Sequence, residues 1–185
     1  MIQNKVLIFP TDTVYGIGAS IYSEEGMSRI YKIKNRPLDK PLAVLCANIE
    51  QMEEIAYLTD DARKLIKAFL PGPLTVILKS KPSILASFKH ETVGVRIPKY
   101  NIALNILKEN GPMATTSVNE SGKPSINDYN IIKEEYSALV EQIYAPDDEP
   151  TSSLASTVVD ITGDKPRVLR VGAITLDMIN ECLEK

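Results

Sequence analysis

The sequence predicts an α/β (α+β) domain: one unit over residues 1–185, built on a twisted, mixed, open sheet with flanking helices. Three observations carry that expectation. Short β-rich runs alternate with amphipathic segments along the chain, the pattern of helices layered on a sheet rather than of a bundle or sandwich. Several connections between strands are too short for a crossover, so antiparallel pairs must be mixed with parallel ones. No internal repeat, low-complexity tract or long Gly/Ser linker marks a boundary within the 185 residues.

Val6–Phe9 is an apolar run stopped by Pro10, and reads as a buried strand. Glu24–Ile33 carries Met27, Ile30 and Tyr31 at helical spacing, with Pro37 beyond its end. Leu42–Cys46 is a second apolar strand. Asn48 can cap a helix that sets Met52, Ile55 and Ala56 on one face, and Thr59 can cap the next, which ends before Pro71. Strands are expected at Thr75–Leu78 and Val93–Ile97. Ile102–Lys108 reads as a short helix closed by Asn110-Gly111, and Met113–Ser117 as a strand. The stripe of Ile132, Tyr136, Leu139, Val140 and Ile143 predicts a helix over Ile131–Ile143. An acidic loop, Ala145–Pro150, precedes strands at Thr157–Val159 and Val168–Val171, and a final helix covers Leu176–Leu183.

Composition narrows the function. Hydrophobic residues make up 44% of the chain, and a domain of this length buries about 70% of its unfolded surface, so it needs no staple. Cys46, Cys182 and His90 are scattered singly and cannot supply the four ligands of a structural zinc site; His90 reads as a loop residue. Two unpaired cysteines suit a reducing compartment. The run Val6–Phe9 is too short for a signal peptide core, and no stretch approaches the ~20 apolar residues of a membrane span. A soluble, cytoplasmic protein with no membrane partner is expected. Lys and Arg total 21 against 24 for Asp and Glu, a net charge of −3, which argues against a chain that mainly wraps nucleic acid.

Polar residues cluster at the ends of the expected strands, where open α/β sheets usually bind ligands. The segments are Pro10–Gly16, Lys34-Asn35-Arg36-Pro37, Val93–Pro98, Thr115–Gly122 and Ser156-Thr157. Hydroxyls, backbone N–H groups and cations of this kind suit anionic oxygens. Taken singly, most have plainer readings: Thr11-Asp12-Thr13 as a self-capped turn, Lys34 and Arg36 as complements to a helix dipole, Thr115–Asn119 as a polar turn. Arg96, between Val95 and Ile97, sits in a strand of β-formers, where a guanidinium often addresses an anion. No GxxxxGK[ST] loop, no complete dinucleotide fingerprint (Gly16-Ile17-Gly18 lacks the third glycine) and no GxSxG elbow occur. An enzyme with this inventory works by binding, orientation and charge neutralisation.

Together these segments resemble the YrdC-like family, whose typical members are threonylcarbamoyl-AMP synthases. The resemblance runs from Lys5 to Ala173. It comprises Pro10–Gly16, the KxR pair Lys34 and Arg36, Pro71-Gly72-Pro73-Leu74-Thr75 and Val93–Pro98. It continues with the SxN pair Ser117 and Asn119, Ser156–Asp160 and Leu169–Ala173. It implies a YrdC-like fold and an enzyme that forms threonylcarbamoyl-AMP and pyrophosphate from L-threonine, bicarbonate and ATP, for the N6-threonylcarbamoyl modification of adenosine 37 in tRNA. By resemblance Thr13, Leu45, Arg96, Thr115 and Ser156 hold threonine, and Arg36, Lys40, Thr92, Ser117, Ser125 and Arg170 line the ATP site. Lys34, Arg36, Ser117 and Asn119 carry charge neutralisation and positioning, with Lys34 and Asn119 expected at phosphate. Mg²⁺ is expected with ATP as co-substrate, held by phosphates and water rather than by a protein cage.

The chain departs from the family pattern at Lys40, where Asn is common, at Leu45, where His is common, and at Val118, where Ala is usual. It starts close to the first strand and ends soon after Gly172-Ala173, which implies the single-domain branch. Product transfer is then expected to fall to tRNA-modification partners of the TsaD/TsaB/TsaE type, with tRNA itself bound weakly or indirectly. Two further functions compete: an RNA-binding module for tRNA or double-stranded RNA without adenylate-forming activity, and the carbamoyl-transfer chemistry of hydrogenase maturation proteins. The acidic balance and the absence of Trp disfavour the first, and the lack of zinc-finger cysteines the second.

Overall fold

The structure is a computed structural model that describes residues 4–147 and 152–184. In chain order its elements are β1 (Val6–Phe9), β2 (Gly16–Ser20), α1 (Glu24–Ile33), β3 (Ala43–Leu45), α2 (Ile49–Ile55), α3 (Asp60–Phe69), β4 (Leu74–Lys79), α4 (Pro82–Phe88), β5 (Thr92–Arg96), α5 (Asn101–Asn110), β6 (Met113–Ser117), α6 (Tyr129–Tyr136), β7 (Gln142–Ile143), β8 (Thr157–Asp160), β9 (Arg167–Arg170) and α7 (Leu176–Leu183). Among the described residues the nine strands form one sheet in the order β7-β1-β2-β6-β3-β5-β4-β8-β9. The pairs β1–β7, β3–β5 and β4–β8 are parallel and the rest antiparallel, so the expected mixed open sheet is present.

Strand alternation explains how the sheet is covered. One face carries Val6, Ile8, Val44, Val76, Val93 and Val95, and packs into the larger core with residues of α1, α2, α3, α4, α6 and α7. On the other face Leu7, Phe9, Leu45 and Met113 meet α5 through Ala103, Ile106 and Leu107. Helix α5 covers only part of that second face. The remainder carries Ala43 of β3, Thr75 and Ile77 of β4, Thr92, Gly94 and Arg96 of β5, Thr115 and Ser117 of β6, and Val158 of β8, all of which line one cavity.

Local signals account for most helix boundaries. Asn48 and Thr59 cap α2 and α3 through side-chain oxygens that accept from Gln51 N and Ala62 N. Ser23 caps α1 in the same way, its Oγ accepting from Gly26 N. Helix α5 ends at Gly111, in a positive-φ conformation (79°) that glycine adopts without steric penalty.

One expectation is corrected and two elements are added. The helix expected over Ile131–Ile143 ends at Tyr136, and Gln142–Ile143 form an edge strand instead. The edge of β1 claims this segment: Glu141 N donates to Val6 O, Tyr144 N donates to Ile8 O, and Val6 N donates to the Glu141 carboxylate at 2.7 Å. Backbone pairing there outweighs an amphipathic stripe of which Leu139 is left 44% exposed. Gly16–Ser20, to which the sequence reading assigns no element, is the antiparallel partner of both β1 and β6. A helix at Pro82–Phe88, not expected from periodicity, begins with proline at its first position, where the missing N–H costs nothing. Of the acidic loop Ala145–Pro150, residues 148–150 lie outside the described residues; Ala145–Asp147 are irregular, as expected.

Candidate active site

The cavity has a volume of about 300 Å³ and opens on the uncovered part of the sheet. Its most buried cation is Arg96, which leaves the last residue of β5 toward the open face. The Thr11-Asp12-Thr13 turn meets it there. Thr11 Oγ1 donates to Val14 O at 2.8 Å and accepts from Thr13 N at 3.1 Å, so the turn is self-capped and also aimed. Arg96 Nη2 pairs with Asp12 Oδ1 at 2.6 Å, Nη1 donates to Thr13 Oγ1 at 2.8 Å, and Nε donates to Gly72 O at 2.9 Å. A guanidinium has five N–H donors. Among the described residues three are engaged, which leaves one on each Nη, the donor set of a bidentate carboxylate fork. Burial lowers the pKa of Arg96, Asp12 opposes that, and Arg170 adds a smaller repulsion. Arg170 is thus near enough to disfavour the charged form of Arg96 slightly.

Arg170, on the edge strand β9, forks onto Ser156: Nε donates to the Ser156 carbonyl at 2.9 Å and Nη2 to its hydroxyl at 3.0 Å. Ser156 Oγ also lies 2.9 Å from Thr75 Oγ1. Burial lowers the Arg170 pKa as well.

The third cation, Arg36, follows Asn35, whose left-handed backbone (φ 48°) turns the chain between two basic residues with opposite fates. Arg36 lines the cavity, held by Nε to Lys40 O at 3.0 Å and Nη2 to Pro41 O at 2.9 Å. Lys34 points inward and is 1% exposed. Its Nζ donates to the Ser117 carbonyl, to Asn119 O at 2.6 Å and to Asn119 Oδ1 at 3.1 Å. All three ammonium donors are thus spent on the loop after β6. Burial, with Arg36 adding repulsion, pulls its pKa from 10.5 to about 8. Asn119 is locked from its other end by Nδ2 donating to Glu120 O and Lys123 O, both at 2.8 Å. Ser117 Oγ donates to Asn119 Oδ1 at 2.6 Å, so the lone pairs of this cavity-lining hydroxyl are what it can offer to a ligand.

The cavity therefore brings together Thr13, Arg36, Leu45, Thr92, Arg96, Thr115, Ser117, Ser125, Ser156 and Arg170. Lys34 and Asn119 stand behind its wall as braces. Lys40 is exposed and does not line it; its carbonyl accepts from Arg36 Nε and, at 3.0 Å, from the Tyr31 hydroxyl. Leu45 is 5% exposed and belongs to the apolar cluster under α5, so it presents an apolar wall beside Arg96. Gly16 and Gly18 make room for Thr115: a Cβ on either would approach the Thr115 side chain to 2.8 Å. Sequence reasoning missed Asp12 as the partner of Arg96, and Thr75 and Tyr15 as cavity residues. Asp12 and Tyr15 lie inside the Pro10–Gly16 cluster and Thr75 closes Pro71–Thr75, but nothing in either segment shows which side chain faces the sheet.

A mixed open sheet with three guanidiniums and a ring of hydroxyls on one uncovered face defines an α/β protein with a cationic cavity suited to anionic oxygens. The chain belongs to the Sua5/YciO/YrdC family, whose model, described as "Telomere recombination", matches residues 1–172. It is 38% identical over 183 residues to the threonylcarbamoyl-AMP synthase of Bacillus subtilis, covering 96% of this chain and 52% of that one. Identity is 36% to a putative threonylcarbamoyl-AMP synthase of Mycobacterium leprae, covering 97% and 82%. The crystal structure of Pyrococcus abyssi Sua5 complexed with L-threonine superposes with a TM-score of 0.88 at 36% identity, covering 97% of this chain and 54% of that one. The chain thus spans about half the length of the Bacillus and Pyrococcus relatives and about four fifths of the mycobacterial one.

Proposed function

We propose that this domain forms L-threonylcarbamoyl-AMP from L-threonine, bicarbonate and ATP. The threonine amine takes up bicarbonate carbon with loss of water, giving a carbamate. A carbamate oxygen then attacks the α-phosphorus of ATP, and the bond from that phosphorus to the bridging oxygen breaks to release pyrophosphate. Charge accumulates on phosphoryl oxygens, so fixed cations and oriented donors are the catalytic means available.

The observation that carries this reading is the Arg96 donor inventory: a buried guanidinium, braced by Asp12, Thr13 and Gly72, with two N–H groups left to fork onto an α-carboxylate. Around it, Thr13, Thr115, Ser156 and the apolar wall of Leu45 hold the rest of threonine. Arg36, Thr92, Ser117, Ser125 and Arg170 take ATP, and Lys40 engages it from outside the cavity. Lys34 and Asn119 act by holding the Ser117 loop. A magnesium ion carried by ATP supplies further charge neutralisation. Among the described residues the cavity lining contains hydroxyls and guanidiniums but no carboxylate, and no cluster of three or more His, Cys, Asp or Glu is present. That donor set fits a metal held by phosphate oxygens and water.

The product is a reactive mixed anhydride, so an acyl-transfer system must consume it. On this reading that system is the tRNA-modification machinery of the TsaD/TsaB/TsaE type, acting in the cytoplasm. No helix among the described residues is long and apolar enough to cross a membrane. The experiment is pyrophosphate release from the purified chain. Release that requires threonine, bicarbonate and ATP together supports the proposal; release indifferent to threonine overturns it.

A further inference from the structure

Thr75 lies on β4, 4% exposed, and lines the cavity. Its hydroxyl sits 2.9 Å from Ser156 Oγ, its hydrogen-bond partner among the described residues. Its methyl group packs over Gly94, where a Cβ would approach Thr75 Cγ2 to 3.1 Å. A β-branched side chain is restricted at χ1, and with its methyl against Gly94 the hydroxyl of Thr75 is directed at Ser156.

The hydrogens can be counted. Each hydroxyl has one donor and two lone pairs. Arg170 Nη2 already donates into one lone pair of Ser156 Oγ at 3.0 Å. When Thr75 donates into the other, both lone pairs of Ser156 are filled, and its single hydrogen has only the cavity to point into. In the opposite orientation Ser156 donates to Thr75, and its hydrogen is withheld from any ligand. An anionic or carbonyl oxygen arriving at Ser156 selects the first arrangement.

We propose that Thr75 is a positioning residue: it turns Ser156 into an obligate hydrogen donor toward the amino-acid substrate, with Arg170 completing the polarisation from the nucleotide side. This inference rests on the reading above that the cavity holds L-threonine beside ATP. It assigns Thr75 no contact with the reacting atoms. Loss of its hydroxyl therefore acts on threonine binding rather than on ATP or on folding.

The test compares wild type, Thr75→Val, Thr75→Ser, Ser156→Ala and the Thr75→Val/Ser156→Ala double variant. The readouts are threonine binding by calorimetry, the separate KM values for threonine and ATP, and Tm. Thr75→Val is expected to weaken threonine about tenfold with the KM for ATP within about twofold and Tm nearly unchanged; Thr75→Ser, which keeps the hydroxyl, restores threonine binding to within about threefold. The double variant is expected to bind threonine no worse than Ser156→Ala alone, the signature of one residue acting through another. If Thr75→Val does not fold, Thr75→Ala carries the same comparison. Threonine binding unchanged in Thr75→Val, or a Thr75→Ser as impaired as Thr75→Val, or additive losses, overturn the assignment while leaving the synthase reading intact. A wild-type chain that binds no threonine overturns both.

Discussion

Asp12→Asn removes one charge and almost nothing else. The Asp12 and Arg96 side chains are 11% and 7% exposed and meet at 2.6 Å, so solvent screens them little. Two unit charges about 4 Å apart at an effective dielectric near 20 interact by about 4 kcal/mol, and neutralising Asp12 returns part of this through its own relieved desolvation. Asn keeps the Oδ1 that accepts from Arg96 Nη2 and, at 3.0 Å, from Lys99 N. The expected loss is therefore about 2–3 kcal/mol, at or below the lower edge of the 3–5 typical of broken buried pairs. Urea unfolding followed by circular dichroism reads it directly. With a slope near 2 kcal/mol/M, the midpoint falls by about 1–1.5 M and the slope itself stays constant. A cycle with Arg96→Met should return a coupling of about 2 kcal/mol. A loss under about 0.5 kcal/mol, or an additive cycle, refutes the claim that Asp12 holds Arg96 in place.

Three other outcomes follow from the same geometry. Lys34 has its pKa lowered to about 8 from 10.5, so between those values the unfolded chain holds a proton the folded chain has released. Wild-type stability should therefore rise relative to Lys34→Met from about pH 8 to about pH 10.5, by up to about 1.4 kcal/mol per unit; a gap independent of pH contradicts the buried-ammonium assignment. Gly18→Ala places a Cβ 2.8 Å from Thr115 Oγ1, and the displaced side chain should cost about 1–3 kcal/mol by chemical denaturation. An unshifted midpoint would show that Thr115 has room. Saturating threonine, at about 100 times its Kd, should stabilise the wild type by about 2.7 kcal/mol. Arg96→Ala should lose that shift in a thermal melt, and an equal shift in both proteins would exclude Arg96 from the threonine site.

Much of the fold was readable because local signals and tertiary contacts agree. Glu24–Ile33, Met113–Ser117 and Leu176–Leu183 have the boundaries that periodicity, caps and flanking residues predict. Disagreement arises where another chain segment decides. Gly16–Ser20 carries no strand pattern of its own and is defined by its partners, with Thr115 across from Gly18, and the stripe after Tyr136 yields to the free edge of β1. The site divides in the same way. Polar clusters at strand ends pointed to a cationic site, the family resemblance supplied the residue list, and ten of those residues line the cavity. Burial direction was not readable: Lys34 and Arg36 are two residues apart, yet one is a brace inside the wall and the other faces the cavity. A pairing across 84 positions, such as Asp12 with Arg96, leaves no trace in local sequence.

The most direct measurement is mass detection of the product. Purified chain incubated with L-threonine, bicarbonate and Mg-ATP should yield threonylcarbamoyl-AMP with one pyrophosphate per molecule formed, and Arg96→Ala should yield far less at the same threonine concentration. Folded protein that forms no threonylcarbamoyl-AMP, even with the acyl-accepting partner proteins supplied, would contradict the assignment of this cavity to adenylate formation.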